Sequence, residues 1–302
     1  MLLRVIHLNV HRFANVAAGS STSAAGSSTV GAVGAALSAL HPDLVTLNEV
    51  DVAHMPGCLE SVSTALSLPF VEFFGHVRGT YGNAILSRYP LSRRKAVHLE
   101  GGTEFRFPAG TRKFNGEIAK ENEAHRIVRG LLITDVELPS GLRPLGVAVT
   151  HLDHMDVAQR RTQLRHIVRE AGDGALLLMG DLNALTRSDY SDGAWRRLEE
   201  RARERKWQLP QHGDLSILRD AKFEDVAVAS GSEVQLTAPA REPLYRVDYG
   251  WLRGGGAPGT AKTAPPGATI TMEAARVHGE VLVSDHLPLV VDLQLGEAAS
   301  GE

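Results

Sequence analysis

Short apolar runs rich in β-branched residues recur along this 302-residue chain and are bounded by turn-forming residues. Their length and composition predict β-strands in the following runs: LLRVIHLNV, LVTLNEV, PFVEFF, GNAILSRYP, GLLITDVEL, RPLGVAVTHL, ALLLMGDLN, RVDYGWL and PLVVDLQL. A PSG turn joins two of them as a hairpin, whereas helical patterns separate others. Two mixed β-sheets packed face to face with helices outside fit this order, although the pattern alone does not single out that α/β architecture.

Four segments between these strands have helical patterns: VGAVGAALSALHPD, which stops at Pro42, GCLESVSTALSL, MDVAQRRTQLRHIVREAG and GAWRRLEERARERKW. Two other stretches lack such a pattern. Residues 19–29 are rich in Ser, Gly and Ala and predict a loop. Residues 101–125 are long, polar and interrupted by phenylalanines, which predicts a loop or flap near a site.

The length and composition allow one large domain or two ordinary ones, since 43% of the residues are hydrophobic. No linker rich in Pro, Gly or Ser divides the chain into separately patterned halves. We therefore expect a single domain over residues 1–302, with its core at 2–293 and a disordered tail at 294–302.

Charge and cysteine content narrow the class of protein further. The net charge of -3 argues against a strong electrostatic grip on long nucleic acid, although a local basic groove is compatible with it. Cys58 is the only cysteine, so no internal disulfide can form. The N-terminus lacks the apolar segment of a signal peptide, and no run approaches the roughly 20 apolar residues of a membrane span. We expect an intracellular, by default cytoplasmic, monomer.

Polar side chains stand at the ends of several predicted strands. GDLNA, residues 180–184, places an acid, a spacer and an amide directly after the apolar run ALLLM. A turn would explain that pentapeptide alone, because Gly, Asp and Asn are turn formers. The same arrangement on separate segments favours chemistry at the strand ends. The residues concerned are Asn9, Glu49, His151, Asp181, Asn183, Asp248, Asp285 and His286.

These residue types suit metal-assisted phosphoryl chemistry. Hard divalent ions such as Mg²⁺ prefer carboxylate oxygens and keep part of their water shell. Such an ion neutralises a phosphate and steadies the departing oxygen, while a carboxylate can activate a water. Asp248 lies between Val247 and Tyr249 in an apolar strand, where a carboxylate needs a partner such as an imidazole. A histidine held in this way can donate a hydrogen bond to a phosphoryl oxygen.

The ordered set of motifs resembles the endonuclease/exonuclease/phosphatase superfamily, which includes deoxyribonuclease I and the apurinic endonucleases. In chain order the motifs are LNV, PDLVTLNEVD, YGNAILSRYPL, RGLL, THLDH followed by RRTQL, GDLNA, RVDYGWL and SDHLPL. They span residues 2–293, almost the whole chain. The resemblance implies a four-layer α/β sandwich with the site at one edge of two sheets.

The resemblance also implies metal ligands. Glu49 would be the principal ligand of Mg²⁺ or Mn²⁺, and Asn9 would support the metal or the water beside it. Asp285 would assist a metal or the nucleophile. Many nuclease members carry an acid two residues after the motif asparagine, whereas this chain has His11 there, as a branch of small members does. The departure removes one expected carboxylate and argues against a two-metal scheme.

The remaining motif residues are implied to act on water and phosphate. Asp181 would orient or activate the nucleophilic water, with Asn183 beside it binding water or phosphate. His286 would contact the scissile phosphate while Asp248 holds it, and His151 would stabilise the phosphate from the other side. The predicted substrate-binding residues are Asn83, which fits a family position lining the site, together with His11 and Arg129. Asn48 replaces the usual glutamine before the motif glutamate and keeps its amide.

The function implied is that of a metal-dependent phosphoric ester hydrolase (EC 3.1). Within that class a phosphodiesterase or nuclease-like enzyme is favoured, with a phosphodiester substrate and nucleic acid among its candidates. One alternative is a phosphomonoesterase acting on a small phosphorylated metabolite or lipid headgroup. Another is a non-catalytic binding member of the superfamily, but such a protein would be expected to have lost a residue of the motif set, and here all are present.

Overall fold

The computed structural model describes residues 1–14, 26–111, 118–120, 122–139, 142, 144–254 and 269–296. The strands within this part are β1 (Leu2–Asn9), β2 (Leu44–Asp51), β3 (Phe70–Val77), β4 (Tyr81–Ser87), β5 (Leu91–His98), β6 (Glu104–Arg106), β7 (Ala124–Arg126), β8 (Gly130–Val136), β9 (Leu145–His151), β10 (Leu176–Asp181), β11 (Phe223–Asp225), β12 (Asp248–Arg253), β13 (Thr269–Val277) and β14 (Leu289–Gly296). The α-helices are α1 (Gly26–Ser38), α2 (Cys58–Leu66), α3 (Val157–Glu170), α4 (Asp192–Glu204), α5 (Ser216–Asp220) and α6 (Val226–Ala229).

Twelve of the strands form two six-stranded mixed sheets. The first has the order β13-β14-β1-β2-β4-β3, and the second has the order β11-β12-β10-β9-β8-β5. Each sheet has one parallel pair at its centre, β1 with β2 and β9 with β10, and antiparallel pairs elsewhere. Parallel neighbours place their carboxyl ends at the same edge, so each sheet brings two strand ends together.

The apolar residues divide into an inner core and two outer ones. Leu3 and Val5 of β1 face the second sheet, where they share a cluster with Val147 and Met179. The alternate residues of β1, Ile6 and Leu8, face α1 and α2 on the other side of their sheet. On the far side of the second sheet, residues of α3 and α5 pack against β9, β10 and β12. The resulting layers confirm the predicted pair of mixed sheets with helices outside.

Three segment boundaries differ from the sequence prediction. Helix α1 begins at Gly26, inside the stretch 19–29 predicted as a loop, and the Thr29 hydroxyl donates a hydrogen bond to the Phe13 carbonyl. The segment 101–125 contributes β6 and most of β7, because the rings of Phe105, Phe107 and His125 pack together and hold the two strands.

The third difference is at the carboxyl end. Strand β14 continues to Gly296, three residues past the predicted core boundary, because Gln294 pairs with Leu2 and Leu295 is buried. The remaining parts of these predictions, residues 19–25, 112–117, 121 and 297–302, lie outside the described residues. None of the helices in the described part combines the length and the apolar character that crossing a bilayer requires.

Candidate active site

The carboxyl ends of the four central strands meet at one edge between the sheets. Asn9 ends β1, Glu49 lies near the end of β2, His151 ends β9 and Asp181 ends β10. The Asn9 amide donates from Nδ2 to Glu49 Oε1 at 3.1 Å and to Asp181 Oδ2 at 3.2 Å. One side chain of the first sheet is thus bonded to a carboxylate of the second, and the edge becomes a single polar site.

Glu49 owes its position to an irregularity in β2. The pairing of β2 with β4 shifts register between Leu47 and Val50, and Glu49 has a φ of 60°. A positive φ is unusual for a residue with a side chain and is typical of functional positions. The carboxylate reaches His151 Nδ1 at 3.8 Å and also hydrogen-bonds Tyr81, whose pKa is raised by burial and then by Glu49.

A second set of hydrogen bonds connects the two sheets through the side chains of Asn48 and Asn83. The Asn48 side chain accepts from the Asp181 backbone N–H at 2.9 Å and donates to Asn83 Oδ1 at 2.9 Å. Asn83 in turn donates to the Gly130 carbonyl at 2.9 Å. Asn83 is fully buried, so its amide supports Asn48 from behind, which differs from the predicted contact with substrate.

Asp181 is held by the turn that follows it. Its Oδ1 accepts the backbone N–H of Asn183 at 3.0 Å, and Oδ2 lies 3.4 Å from His151 Nε2. Burial raises the pKa of Asp181 above its usual range, although the nearby His286 opposes that shift. Asn183 has a φ of 47° and donates from its amide to the Leu152 carbonyl at 3.2 Å. The GDLNA turn therefore fixes a buried carboxylate that binds protons readily.

His286 and Asp248 form a hydrogen-bonded pair beside Asp181. His286 Nδ1 lies 2.8 Å from Asp248 Oδ2, and its Nε2 lies 3.8 Å from Asp181 Oδ2. Burial alone would lower the pKa of His286, but the Asp248 carboxylate raises it to about 10. Burial would raise the pKa of Asp248, but the imidazole holds it below its usual range. These opposed shifts favour a carboxylate paired with an imidazolium, and the Nε2 of His286 faces Asp181.

His11 lies between two of the predicted metal ligands. Its Nδ1 is 3.3 Å from Asp285 Oδ2 and 3.7 Å from Glu49 Oε2. The backbone N–H of His11 donates to Asn9 Oδ1 at 3.0 Å, and its φ is 42°. Ser284 fastens the Asp285 loop by donating to the Asn9 carbonyl at 2.6 Å. This geometry brings Glu49, Asn9, Asp285 and His11 to one side of the site.

Arg129 lies on the opposite side, near His151. It is 6% exposed, and its Nη2 lies 3.2 Å from His154 Nδ1. Burial first, and then the Arg129 guanidinium, lower the pKa values of both His151 and His154. A buried guanidinium favours an anion nearby, and this side of the site is accordingly electropositive.

Sequence reasoning missed His7 and Tyr81. His7 is fully buried in β1, with Nε2 3.3 Å from Asp248 Oδ1 and Nδ1 3.0 Å from Thr46 Oγ1. The signal was available, because the two-residue period of a strand places His7 on the same face as Asn9. Tyr81 begins β4, and nothing in its sequence context marks it as a partner of Glu49.

Two sets of side chains carry donors for a divalent cation, and in one of them the donor atoms lie close together. Asp181, Asp248 and His286 offer atoms that all lie within 4.8 Å of one another. Asp248 and His286 already satisfy each other, however, and Asp248 is almost completely buried. Glu49, Asn9 and Asp285 offer oxygen donors at the more open side, with Glu49 16% and Asp285 37% exposed. Oxygen donors of this kind match Mg²⁺ or Mn²⁺.

Solved structures with a similar fold come from several organisms. An endonuclease/exonuclease/phosphatase from Beutenbergia cavernae superposes with a TM-score of 0.61 at 21% identity, covering 98% of this chain and 72% of its own. D. rerio TDP2, solved with a single strand DNA product, gives 0.56 at 18% identity over 97% of this chain and 99% of its own. Truncated Caenorhabditis elegans TDP2 gives 0.52 at 15% identity, covering 97% and 98%. At these identities the likeness concerns the fold.

No curated protein matches this chain in sequence. The family described as Endonuclease/Exonuclease/phosphatase matches it from residue 8 to residue 286. That span begins one residue before Asn9 and ends at His286, so it takes in each strand end that contributes to the site. The chain belongs to the endonuclease/exonuclease/phosphatase family.

Proposed function

We propose that this chain is a divalent-metal-dependent phosphodiesterase or nuclease-like hydrolase that cleaves a P–O bond with an activated water. The observation that carries the proposal is the bonding of Asn9 to both Glu49 and Asp181 across the two sheets. In the proposed roles, Glu49 as metal ligand and Asp181 as proton acceptor are joined through one amide. Family membership supports phosphoester hydrolysis as the reaction class.

Glu49, Asn9 and Asp285 would hold the metal. Within the described residues, Glu49 and Asp285 form ion pairs with histidines, His11 for both and His151 for Glu49 as well. When bound, Mg²⁺ or Mn²⁺ supplies charge neutralisation at the phosphate and at the departing oxygen. His11 adds a nitrogen at the same side, where an imidazole suits Mn²⁺ better than Mg²⁺.

Asp181 would act on the water. Its raised pKa matches a general base, because a base works best when its pKa approaches the working pH. In the reaction the water oxygen attacks phosphorus, its proton passes to the Asp181 carboxylate, and the ester oxygen leaves with the electron pair of the broken P–O bond. The backbone N–H of Asn183 holds the carboxylate in place for that transfer.

His286 would stabilise the charge that develops on the phosphoryl oxygens. Its Nδ1 is engaged by Asp248, so Nε2 is the nitrogen that can donate to the phosphate. The high pKa of the imidazole keeps that proton in place throughout the reaction. His151, which lies between Glu49 and Asp181, and the electropositive side around Arg129 would contact the phosphate from the opposite direction.

The substrate proposed is a phosphodiester, with nucleic acid as the first class to test. The fold shared with D. rerio TDP2, which was solved with a single strand DNA product, supports that choice. The net charge of -3 favours short or single-stranded substrates over a long duplex, since long duplexes are gripped through many cationic contacts.

A panel of substrates tests the proposal. Single-stranded DNA, abasic duplex DNA, RNA, a 5′-tyrosyl oligonucleotide, a chromogenic phosphodiester and small phosphomonoesters are each incubated with Mg²⁺, with Mn²⁺ and with EDTA. The proposal predicts metal-dependent cleavage of at least one diester that EDTA abolishes. Cleavage of monoesters alone would establish the phosphomonoesterase alternative. Absence of both hydrolysis and metal binding would support a non-catalytic binding member.

A further inference from the structure

We propose that His7 is a positioning residue that holds the Asp248 carboxylate from the side opposite to His286. The inference rests on the proposed function for the role of His286, but its geometry stands by itself. His7 is fully buried between the sheets, and a polar ring in that location is costly unless its nitrogens are satisfied. The two groups that satisfy it are Asp248 and Thr46.

The strand register explains how His7 reaches Asp248. In β1 the side chains of Leu3, Val5, His7 and Asn9 point towards the second sheet, whereas Ile6 and Leu8 point towards the helices. Asn9 meets Asp181 across the sheets, and His7, one step back on the same face, meets Asp248 in the strand beside it. Asp181 and Asp248 are direct neighbours in the antiparallel pairing of β10 with β12.

The Oδ1 atom of Asp248 faces a single candidate hydrogen-bond donor in the described residues, the Nε2 of His7. Oδ2 accepts from His286 at 2.8 Å, while Oδ1 and His7 Nε2 have no other hydrogen-bonding partner among the described residues and lie 3.3 Å apart. An ionised carboxylate oxygen without a donor would carry a large desolvation cost. The His7 N–H is therefore the donor that completes the carboxylate.

The contacts require one tautomer of His7. A carboxylate oxygen can only accept a hydrogen bond, so the nitrogen that faces Oδ1 has to carry the hydrogen, which makes Nε2 the donor. Nδ1 then accepts a hydrogen bond from the Thr46 hydroxyl at 3.0 Å. The opposite tautomer would place the lone pair of Nε2 against the carboxylate oxygen.

Holding both oxygens restricts rotation of the carboxylate. The start of β12 is fixed separately, because Thr237 Oγ1 accepts the backbone N–H groups of Val247 and Asp248, each at 3.2 Å. With its backbone and both oxygens held, Asp248 sets the plane of the His286 ring and the direction of its Nε2. His7 thereby acts on the reacting phosphate through two other residues, although it touches no substrate.

The tautomer of His7 gives a test that does not depend on activity. In a ¹⁵N-labelled protein, long-range ¹H–¹⁵N spectra distinguish an imidazole protonated at Nε2 from one protonated at Nδ1. We expect His7 to carry its proton at Nε2. A His7 ring protonated at Nδ1 alone would overturn the inference, because such a ring cannot donate to Asp248.

The kinetic test compares two substitutions at position 7. His7→Leu removes the donor, and we expect kcat on the cleaved substrate to fall at least about tenfold with KM nearly unchanged, as for residues that orient a ligand through another group. His7→Gln restores an N–H near the position of Nε2, and we expect kcat within about threefold of the unsubstituted protein. Val5→Ala, on the same face of β1 but in the apolar core, is the control and should lower Tm while keeping kcat.

The outcomes separate this inference from the proposed function. Equal losses of kcat in His7→Leu and His7→Gln, or a loss that only follows Tm as in Val5→Ala, would show that the ring has a packing role alone. If the unsubstituted protein hydrolysed nothing in the substrate panel, the proposed function would fail, and the tautomer measurement would still decide whether His7 donates to Asp248.

Discussion

At the scale of single residues, the candidate site is built from polar groups that satisfy one another. Asn9 bonds two carboxylates, Asn48 bonds a backbone N–H and an amide, and Asp248 stands between two imidazoles. Buried polar groups are tolerated only when they are paired in this way. Removing one member therefore affects its partner as well as its own contacts.

The clearest residue-scale prediction concerns His286. His286→Ala removes the proposed donor to the phosphate, and we expect turnover to fall by about 10²- to 10⁴-fold, the range for groups that transfer or donate a proton in the transition state. Steady-state kinetics and a thermal melt of the same preparation would measure it. His41→Asn, at an exposed histidine just before β2 whose φ of 54° asparagine tolerates, is the control and should change neither quantity. Near-normal turnover in folded His286→Ala would refute the role.

The sequence allowed the strand-end residues to be predicted, because a motif asparagine, glutamate or aspartate at the end of an apolar run already indicates where its side chain emerges. It did not reveal His7, and it assigned Asn83 to the substrate. Both depend on contacts across the two sheets. The strand period places His7 on the face of Asn9, but no pattern along one strand indicates which residue faces it from the other sheet. The family resemblance supplied roles for the residues of the quoted motifs, and His7 precedes the first of them, LNV.

At the scale of the elements, Arg246, two residues before β12, belongs to a buried ionic network. Arg246 donates from Nη1 to Asp189 at 3.0 Å and from Nη2 to Asp225 at 2.7 Å, and its guanidinium lies 4.3 Å from the centre of the Tyr249 ring. All three charged side chains are at most 4% exposed. The network joins the chain before β12 to the 3₁₀ turn at 187–189 and to the start of α6.

Breaking that network should destabilise the protein strongly. Arg246→Ala leaves two buried carboxylates without their cation, and we expect the free energy of unfolding to fall by about 3–5 kcal/mol. Urea denaturation would measure the change. Arg196→Ala, on the exposed face of α4, is the control and should stay within about 0.5 kcal/mol of the unsubstituted protein. A loss below about 1 kcal/mol in Arg246→Ala would mean that the network contributes little.

Element boundaries were predictable only where local signals were strong. The apolar spacing and the following Gly172 marked α3 closely. The start of α1 and the strands β6 and β7 were missed for a common reason, since Ser, Gly and polar residues carry little intrinsic preference and took their conformation from contacts made elsewhere. Strand β14 ends one residue past the predicted run PLVVDLQL, and the predicted core boundary at 293 fell short because β1 and β13 both pair with residues beyond it.

At the scale of the whole molecule, the two sheets have to stay in register for the site to exist. In the first sheet, Asp292 of β14 helps to hold neighbouring strands together. Its carboxylate accepts hydrogen bonds from Arg4 Nε of β1 and from Arg276 Nη2 of β13, each at 2.8 Å. Burial would raise the pKa of Asp292, but the two guanidinium groups hold it below its usual range. When it is ionised, the Asp292 carboxylate therefore links three adjacent strands, β13, β14 and β1.

The pH dependence follows from that shift. The pKa of Asp292 is lower in the folded protein than in the unfolded one. The stabilisation that Asp292 gives the folded protein is therefore fully present above the unfolded pKa of about 3.9 and is lost as pH falls through the folded value. We expect Asp292→Asn to be less stable than the unsubstituted protein at pH 6, and the difference to shrink below about pH 4. Urea denaturation of both proteins across this range would check it, and a difference that stays constant down to pH 2 would contradict the assignment.

The overall architecture could be anticipated only in part. Hydrophobic periodicity located the strands, but it could not decide that β1 pairs with β2 and β14, because strand partners are chosen by contacts distant in sequence. The architecture was instead predicted from the resemblance of the ordered motifs to the superfamily. The match to the family over residues 8–286 confirms that assignment, while the substrate depends on loops that the shared fold does not determine.

The central claim is that the carboxylates at this sheet edge perform metal-dependent hydrolysis of a phosphodiester. The most direct measurement is a Mg²⁺ titration of hydrolysis for the unsubstituted protein, Asp181→Asn and the exposed control Asp173→Asn, with EDTA as the blank. We expect saturable, EDTA-sensitive cleavage in the unsubstituted protein and in Asp173→Asn, and a loss of at least about 100-fold in Asp181→Asn. Cleavage that persists in EDTA, or that Asp181→Asn retains, would contradict it.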